Sequence, residues 1–303
     1  MNNYRDQTYL LNSQYKDATN FGARVDLHRR FSVNKYGFYR WAFDHFKLDE
    51  GSTLLELGCG PGGLWRSNSD RVLANWQITL TDFSPGMLQE ARKMLGEERF
   101  AYEVADAQIL PFADASFDAV IANHMLYHIP DLPRALGEIR RVLKPSGHFY
   151  ATTFGRKHMR ELDELVWKYW PNSPWKGLGG SSPFILENGQ EKLALFFAPV
   201  TLDTYEDELE VTEAEPLAAY AFSGRLGSLF TREMRESFIN FIRQELAAHG
   251  TIHITNASGM FEAHKTQLQE PRGTLPTIIL FFTTTTLSFE NVKAVTDVLP
   301  AAR

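Results

Sequence analysis

The sequence predicts an α/β protein built on a doubly wound, mostly parallel sheet. Between residues 52 and 153, five apolar strand-like runs alternate with amphipathic helical segments. The strand candidates are residues 53–57, 76–81, 100–104, 117–122 and 147–153. Strands that alternate with helices form a parallel sheet with right-handed connections, and ligands bind at the carboxyl ends of its strands. A glycine-rich run directly after the first strand candidate agrees with a ligand site there.

Two of the intervening helices begin at recognisable capping residues. Ser84 precedes Pro85, and proline is favoured at the first position of a helix. Asp131 stands in the same position before the next apolar stripe at helical spacing. Residues 144–147, Lys-Pro-Ser-Gly, are typical of a helix end, so the fifth strand is expected to follow them.

The segments outside this region predict additions to the sheet. Residues 1–50 are rich in aromatic side chains and predict an N-terminal helical cap, with one or two helices between residues 25 and 46. Residues of about 155–198 predict a helical lid inserted into a domain that spans residues 51–264. Residues 265–303 form a C-terminal extension to which the sequence assigns no role.

Between the predicted lid and the extension, the pattern favours more regular structure. Residues 200–211 are typical of a strand with an acidic centre. Residues 216–250 favour helix, and residues 251–255 favour a short final strand.

Composition narrows the function classes. Hydrophobic residues make up 44% of the 303 residues, which supports a substantial core, and the net charge of −6 argues against a nucleic-acid partner. Cys59 is the only cysteine, so neither an intrachain disulfide nor a cysteine metal cluster can form, as expected of a cytoplasmic protein. The first residues lack the apolar core of a signal peptide, and no apolar run reaches the roughly 18 residues that cross a bilayer, so no membrane partner is expected. The nine histidines are scattered without metal-ligand spacing to a carboxylate, so no metal site is predicted.

Residues 56–63, Glu-Leu-Gly-Cys-Gly-Pro-Gly-Gly, carry the most information. Alternating glycines after a strand make a tight turn on whose backbone a ligand can lie. Glu56 ends the strand, and its carboxylate can hold a positive group, which indicates a cationic nucleoside cofactor rather than a pyrophosphate. The glycines alone do not decide, because Gly58, Gly60 and Gly63 also satisfy the dinucleotide-binding pattern.

Three features at later strand ends separate the two interpretations. Asp82 ends the second strand, where a carboxylate can accept both hydroxyls of a ribose. Asp106 follows the third strand and can accept a hydrogen bond from an adenine amino group, while the Ala107 N–H can donate to the ring. The fourth strand leads into residues 123–128, a polar and aromatic loop.

This ordered set resembles the class I S-adenosylmethionine-dependent methyltransferases. It comprises Glu56–Gly63, residues 81–88, 105–107, 110–112, 116–118 and 141–147. Within that superfamily the chain is most similar to the methyltransferase type 11 group, which includes quinone-biosynthesis and other small-molecule enzymes. The resemblance is detailed over about residues 50–155 and weak to residue 264. It implies a Rossmann-like seven-stranded sheet with an antiparallel last strand, and S-adenosyl-L-methionine as cofactor.

The resemblance also implies roles for the residues of the first two motifs. Glu56 would hold the methionine ammonium, and the backbone of Gly58, Cys59 and Gly60 would lie against the methionine portion and the ribose. Asp82 would bind the ribose hydroxyls.

Further roles follow for the later motifs. Phe83 and Met87 would pack on the adenine, whose edge would meet Asp106 and Ala107, with Gln108 nearby. Asn123 and His124 would approach the sulfonium.

Residues near the substrate mouth are the catalytic candidates. Methyl transfer needs alignment and exclusion of water, and a base only if the acceptor is protonated. His128, His124 and Tyr127 are the candidates for such a base. Structural alternatives stay open: the histidines can serve as hydrogen-bonding residues, and Phe83 and Met87 can belong to the core.

The implied function is methyl transfer to a small-molecule acceptor by in-line displacement. A catalytically silent methyltransferase-like binding module is the main alternative. An NAD(P)-dependent oxidoreductase would explain the glycines and Asp82, but not Asp106. An RNA or protein methyltransferase is disfavoured by the acidic charge and by Asn123-His124-Met125 where an Asn-Pro-Pro-Tyr run would stand. The acceptor atom and the oligomeric state do not follow from the sequence.

Overall fold

A seven-stranded sheet forms the centre of the protein. The computed structural model describes residues 5–175, 177 and 182–266. The strands are β1 (Thr53–Leu57), β2 (Gln77–Asp82), β3 (Phe100–Val104), β4 (Phe117–Asn123), β5 (Leu143–Phe154), β6 (Val200–Val211) and β7 (Ile252–His264). Their order in the sheet is β3-β2-β1-β4-β5-β7-β6.

Helices flank the sheet and build its N-terminal cap. They are α1 (Gln7–Tyr9), α2 (Thr19–Phe31), α3 (Phe38–Asp44), α4 (Gly63–Ser67), α5 (Pro85–Leu95), α6 (Leu132–Val142), α7 (Arg160–Tyr169), α8 (Leu186–Ala194), α9 (Ala214–Ser223) and α10 (Arg232–His249). A π-helical turn, Leu10–Gln14, continues α1, and 3-10 turns lie at Leu126–His128 and Arg225–Leu229. Among the helices of the described residues, none has the length and apolar character needed to cross a membrane.

Strand pairing confirms the predicted sheet. The first five strands pair in parallel, whereas β7 runs antiparallel to both of its neighbours, β5 and β6. Because side chains alternate along a strand, Leu55 and Leu57 of β1 enter the cluster under α6 and α8, while Leu54 enters the cluster under α3, α4 and α5. The carboxyl ends of β1, β2 and β4 therefore meet at one edge, where the ligand site is expected.

The predicted helix caps are present. The Ser84 hydroxyl accepts a hydrogen bond from the backbone N–H of Met87, at 3.3 Å. The Asp131 carboxylate accepts one from the N–H of Arg134, at 3.1 Å. Each side chain satisfies one of the otherwise unpaired donors at the start of its helix.

Two predicted strand boundaries were wrong: the start of β5 and the end of β7. β5 begins at Leu143 rather than after the Lys-Pro-Ser-Gly run, because Leu143 pairs with Phe117 before a shift in register. β7 continues to His264 instead of ending at residue 255. Asn256, Ser258 and Gly259 are weak strand formers, but pairing with β6 keeps all three extended, and Ser258 and Gly259 also pair with β5.

A separate helical layer lies against the last strands. Side chains of α2, α7, α9 and α10 share a core cluster with Leu209 and Ile254 of β6 and β7. The predicted lid divides between two environments: α7 joins this layer, and α8 packs on β6 and β7. Its role as a lid remains a prediction. Except for Lys265 and Thr266, the proposed C-terminal extension lies outside the described residues.

Candidate functional site

A cavity of about 1060 Å³ lies at the carboxyl edge of the sheet. It brings together all but one of the site residues predicted from the sequence. Those that line it are Glu56, Gly58, Cys59, Gly60, Asp82, Phe83, Met87, Asp106, Ala107, Asn123, His124, Tyr127 and His128. Gln108 does not belong to this lining. We call the strand-end carboxylates Glu56, Asp82 and Asp106 the cofactor edge.

The turn after β1 has a backbone that only glycine adopts readily. Gly58 and Gly60 have φ values of 63° and 54°. A Cβ at Gly58 would lie 2.9 Å from the Cβ of Met125, so a side chain there has no room. The Cys59 N–H donates to the carbonyl of Thr81, at 2.9 Å, which fixes the turn to the end of β2. A ligand can therefore lie directly against this backbone.

Glu56 is a buried carboxylate that no cation of the described residues pairs with. Its side chain accepts hydrogen bonds from the Trp65 indole, at 2.6 Å, and from the Asn123 amide, at 3.0 Å. Only 2% of the residue is exposed, and this burial raises its pKa to about 7 despite both hydrogen bonds. Within the described part of the chain, Glu56 forms no ion pair with a lysine, arginine or histidine. A ligand ammonium placed here would supply the missing charge.

Asp82 is held by backbone donors on both oxygens. The N–H groups of Gly60 and Ser84 donate to it, at 2.9 and 2.8 Å. Burial raises its pKa to about 6, and the two backbone hydrogen bonds oppose that rise. Each carboxylate oxygen has a second acceptor position, so the group can still receive the hydroxyls of a sugar.

Asp106 is bridged by two glutamines, only one of which was predicted. Gln108 donates to Asp106 through its backbone N–H at 2.9 Å and through its side-chain amide, which lies 3.0 Å from both carboxylate oxygens. Gln7 of α1 donates to one of the same oxygens, Oδ2, at 3.0 Å. An amide nitrogen from the cap thus contacts the carboxylate that we expect to meet an adenine amino group.

The cap also contacts the mouth of the cavity. The Tyr15 hydroxyl lies 2.9 Å from Nε2 of His128, and the Ser84 hydroxyl donates to the Tyr15 carbonyl at 2.7 Å. At Gly86 a Cβ would lie 2.2 Å from the carbonyl oxygen of Lys16, so glycine permits this close approach. The segment containing α1 therefore closes over the cofactor edge.

The three predicted catalytic candidates differ in their surroundings. His128 is engaged with Tyr15, and the Tyr127 ring packs edge-on against His128 and at a tilt against Phe154, with ring centroids 4.5 and 4.9 Å apart. His124 has a left-handed backbone, with φ of 48°. Burial lowers the pKa of His124 to about 4, so its imidazole is neutral at pH 7.

The region that contains the cofactor edge also matches a known sequence family. Residues 55–151 match the family described as a methyltransferase domain. The matched residues include Glu56, Asp82 and Asp106, the three carboxylates of the cofactor edge.

Curated relatives are similar over part of their length. The malonyl-(acyl-carrier protein) O-methyltransferase of Erwinia pyrifoliae is 32% identical over 52% of this chain and 58% of its own. The ubiquinone/menaquinone biosynthesis C-methyltransferase UbiE of Desulfotalea psychrophila is 37% identical over 39% of this chain and 44% of its own. The chain thus spans about half the length of the curated relatives it matches.

Solved structures share the fold of the methyltransferase domain. Phosphoethanolamine N-methyltransferase 2 of Haemonchus contortus, in complex with S-adenosyl-L-methionine, has a TM-score of 0.53 and 22% identity. The match covers 87% of this chain and 60% of that one. The YcgJ protein of Bacillus subtilis has a TM-score of 0.52 and 17% identity, over 76% of this chain and 98% of that one.

S-adenosylmethionine is the cofactor of this domain family, and the residues present fit it. Among the described residues, no cation pairs with the buried Glu56 carboxylate, and the methionine ammonium would supply one. The side-chain-free turn at Gly58 and Gly60 leaves its backbone accessible, and Asp82 retains acceptor positions for the ribose. Three different requirements of one molecule are thus met along one edge of the methyltransferase domain.

The sequence analysis missed a second part of the cavity. We call it the histidine chamber; it is lined by His28, His124, His158, Phe154, Tyr205 and Asn256. Ring contacts connect its members: His28 stacks on His158 at 5.9 Å, and Phe154 on His158 at 5.6 Å. His124 follows β4 and was predicted, but the others come from α2, the end of β5, the segment after β5, β6 and β7, and no local motif indicates that they meet.

Strand pairing also gathers two groups of possible metal ligands, which the sequence analysis did not anticipate. His148, Glu262 and His264 meet across β5 and β7, with the histidine nitrogens 3.1 and 3.3 Å from one Glu262 oxygen. Lys47 already forms an ion pair with that carboxylate, at 2.8 Å. The second group, Glu208, Glu210 and His253, is exposed. Neither group includes a residue that lines the cavity.

Proposed function

We propose that the protein transfers the methyl group of S-adenosylmethionine to a small-molecule acceptor. The observation that carries this proposal is the buried carboxylate of Glu56, which lies beside a glycine turn and pairs with no cation in the part of the chain that the structure describes. When bound, S-adenosylmethionine supplies a methyl carbon that the positive sulfonium activates for in-line displacement.

The residues of this chain bind and orient the reactants. Glu56 would receive the ammonium, Asp82 the ribose hydroxyls, and Asp106 with the Ala107 N–H the adenine edge. Asn123 has a fixed amide orientation, because Thr152 donates to its oxygen at 3.2 Å and its nitrogen donates to Glu56. It would therefore keep Glu56 aligned from the sulfonium side.

The cap supports the proposal by excluding water. The contacts of Gln7 with Asp106 and of Tyr15 with His128 close the site from above. Exclusion of water strengthens the electrostatic contacts within a site and favours alignment of the reacting atoms. His128, Tyr127 and His124 stay candidates for accepting a proton from the acceptor.

The named activities of the relatives do not decide the acceptor atom. Their names specify an O-methyltransferase, a C-methyltransferase and a phosphoethanolamine N-methyltransferase. An O, N or C nucleophile is therefore compatible with this type of domain. The proposal takes from the relatives only that the acceptor is a small molecule.

A labelled-cofactor assay tests the proposal. The full chain is incubated with methyl-labelled S-adenosylmethionine and a panel of hydroxyl, amine, thiol and activated-carbon acceptors, with S-adenosylhomocysteine as the readout. We expect acceptor-dependent product for at least one class, and none with Asp82→Ala. Binding of the cofactor without turnover of any class would favour a silent binding module instead.

A further inference from the structure

We infer that His148, Glu262 and His264 form a binding site for a divalent transition metal ion, with Zn²⁺ as the ion that fits it best. We call these three residues the strand-pair site. His148 pairs with Ala119 near the start of β4, so the site lies toward the amino ends of the parallel strands, whereas the cofactor edge lies at their carboxyl ends. None of its residues lines the cavity, so the inference does not depend on the proposed function.

The first observation is the register of β5 and β7. The antiparallel register places His148 of β5 directly opposite His264 of β7. Glu262 lies two residues before His264 and therefore shares its face of the sheet. Opposite side chains of an antiparallel pair have Cβ atoms only about 4.5–5.5 Å apart. Three side chains that bind metals thus leave one face of two paired strands. His148 lies 114 residues before Glu262, so no local spacing in the sequence indicates the site.

The second observation is that the ligand atoms converge. Nδ1 of His148 lies 3.1 Å and Nε2 of His264 lies 3.3 Å from the same oxygen, Oε1 of Glu262. A tetrahedral Zn²⁺ with bonds of about 2.0–2.2 Å holds neighbouring nitrogen and oxygen ligands about 3.4 Å apart. All three ligand atoms already lie within 4.8 Å of one another. Only small side-chain rotations therefore separate this arrangement from a coordinated ion.

The third observation is that the surroundings of the site are fixed. The Lys265 N–H donates to the carbonyl of Gly147 at 3.0 Å, which ties β7 to β5 beside the site. The His148 ring stacks on Tyr150, with centroids 5.7 Å apart and planes 8° apart. The Tyr150 hydroxyl in turn accepts from the Lys47 N–H at 2.9 Å. Ligands on rigid elements lose little freedom on binding, which favours a metal site.

The fourth observation is the combination of buried charge and open access. The Glu262 side chain is 8% exposed, whereas those of His148 and His264 are 22% and 28% exposed. An ion can therefore reach the imidazoles from solvent, while the carboxylate charge acts in partly buried surroundings, where screening by water is weaker. Two imidazoles and one carboxylate are ligands that suit Zn²⁺, whereas Mg²⁺ prefers oxygen ligands alone.

Lys47 competes with the metal ion for the same carboxylate. Its Nζ lies 2.8 Å from Oε2 of Glu262, the oxygen that the two histidines do not share. The Lys47 side chain is 67% exposed, so it can move into solvent when an ion binds at Oε1. Lys47 thus neutralises Glu262 in the metal-free protein. Its removal is therefore expected to strengthen metal binding.

The second group of possible ligands provides a matched comparison. Glu208, Glu210 and His253 also lie close together, but all three are exposed. Water screens their charges and leaves their side chains free to move, so they hold an ion less well. A variant of His253 therefore serves as the control for general binding of metal to surface histidines.

Calorimetric titration of the full, untagged chain with ZnCl₂ tests the inference, with MgCl₂ as the comparison. We expect one Zn²⁺ per chain and no binding of Mg²⁺ at the same concentrations. Loss of an outer partner of a metal site typically weakens binding 10–100-fold, so His148→Asn and His264→Asn, which remove ligands, should each weaken Zn²⁺ at least about tenfold. His253→Asn should leave the affinity unchanged.

Two further readouts distinguish a metal site from an ordinary ion pair. Lys47→Met should strengthen Zn²⁺ binding about two- to fivefold, the value of an exposed ion pair. Zn²⁺ should raise the thermal midpoint of the wild type and of Lys47→Met, but not of the two histidine variants, because only the folded state holds the site together. Affinity for S-adenosylhomocysteine should be unchanged in all these variants, which also shows that they fold.

The absence of Zn²⁺ binding, or binding that both histidine variants leave unchanged, would overturn the inference. Weaker binding in Lys47→Met would overturn it as well, because the lysine would then support the ion rather than compete with it. Each histidine variant is a separate test, so one suffices if the other does not fold. The titrations with S-adenosylhomocysteine report on the proposed function separately, so the failure of either is recognised by itself.

Discussion

The cofactor edge and the histidine chamber line one cavity but are built in opposite ways. Glu56, Asp82 and Asp106 each stand at or just after the end of a strand in the parallel half of the sheet. His28, His158 and Asn256 come from a cap helix, a connection after β5 and the last strand. The first set depends on local strand ends, and the second on contacts between segments up to 228 residues apart, since 256 − 28 = 228.

The two regions also differ in what they lack. The cofactor edge has buried negative charge whose pKa values are raised, so it favours a positive ligand group. The histidine chamber has imidazoles whose pKa values are lowered, so they carry no positive charge at pH 7. Burial causes both sets of shifts, because it disfavours the charged form of acids and bases alike.

Removing the charge of Glu56 is expected to have the largest effect on the cofactor edge. Glu56→Gln keeps the shape but removes the partner of the ammonium, so affinity for S-adenosylhomocysteine should fall about ten- to a hundredfold. The thermal midpoint at pH 8 should rise, because a buried unpaired charge disappears. Calorimetry and thermal unfolding measure the two, with exposed Glu50→Gln as control. An unchanged affinity would remove Glu56 from the cofactor site.

A second variant tests the backbone of the glycine turn. Gly58→Ala forces a Cβ to 2.9 Å from Met125 at a φ of 63°, and should lower the free energy of unfolding by about 1–3 kcal/mol. Gly137→Ala lies in α6 with open space around its Cβ and should be neutral or stabilising, by up to about 1 kcal/mol. Denaturant unfolding compares them, and equal effects would show that the turn is not strained by a side chain.

The pH dependence of S-adenosylhomocysteine binding tests whether the cofactor edge binds its ligand in the ionised form. An ammonium ligand favours ionised Glu56, so affinity for S-adenosylhomocysteine should rise with pH, by up to about tenfold per unit, until the Glu56 pKa of about 7, and then level off. Asp82, with a pKa of about 6, acts in the same direction. Without ligand, the sign for stability is reversed: a raised folded-state pKa stabilises the protein below about pH 4.5, and this contribution is lost as pH rises through 7.

Proton release on binding measures this linkage directly. Calorimetric titrations at pH 6.5 in buffers of different ionisation enthalpy should report proton release, and Glu56→Gln should remove most of it, with Asp82 supplying the remainder. Proton uptake in the wild type would contradict the assigned role of the carboxylate.

The smallest expected effect concerns the cap that covers both regions. Tyr15→Phe removes the 2.9 Å contact with His128 and should speed dissociation of S-adenosylhomocysteine about fivefold, the value of one hydrogen bond. Tyr102→Phe loses a hydrogen bond to Gly96 outside the cavity and serves as the matched control. Stopped-flow dissociation compares them; equal rates for both variants would mean that the cap does not retain the ligand.

The cofactor edge could be predicted from the sequence, whereas most of the histidine chamber could not. The order and type of β1 to β5, their helices and the residues of the cofactor edge could be predicted, because period, caps and strand-end motifs are local signals. The full length of β7 could not, because Asn256 and Ala257 are held extended by pairing with β6, and Ser258 and Gly259 by pairing with both β5 and β6. Gln7 and His158 could not either, because their roles arise from long-range packing that no nearby residue encodes.

Calorimetric titration with S-adenosylmethionine, S-adenosylhomocysteine and NADH, on the wild type and Asp82→Ala, tests the central claim most directly. The account predicts micromolar binding of both adenosyl ligands, its loss in the variant, and no binding of NADH. Binding of NADH in place of the adenosyl ligands, or adenosyl binding that Asp82→Ala leaves unchanged, would contradict it.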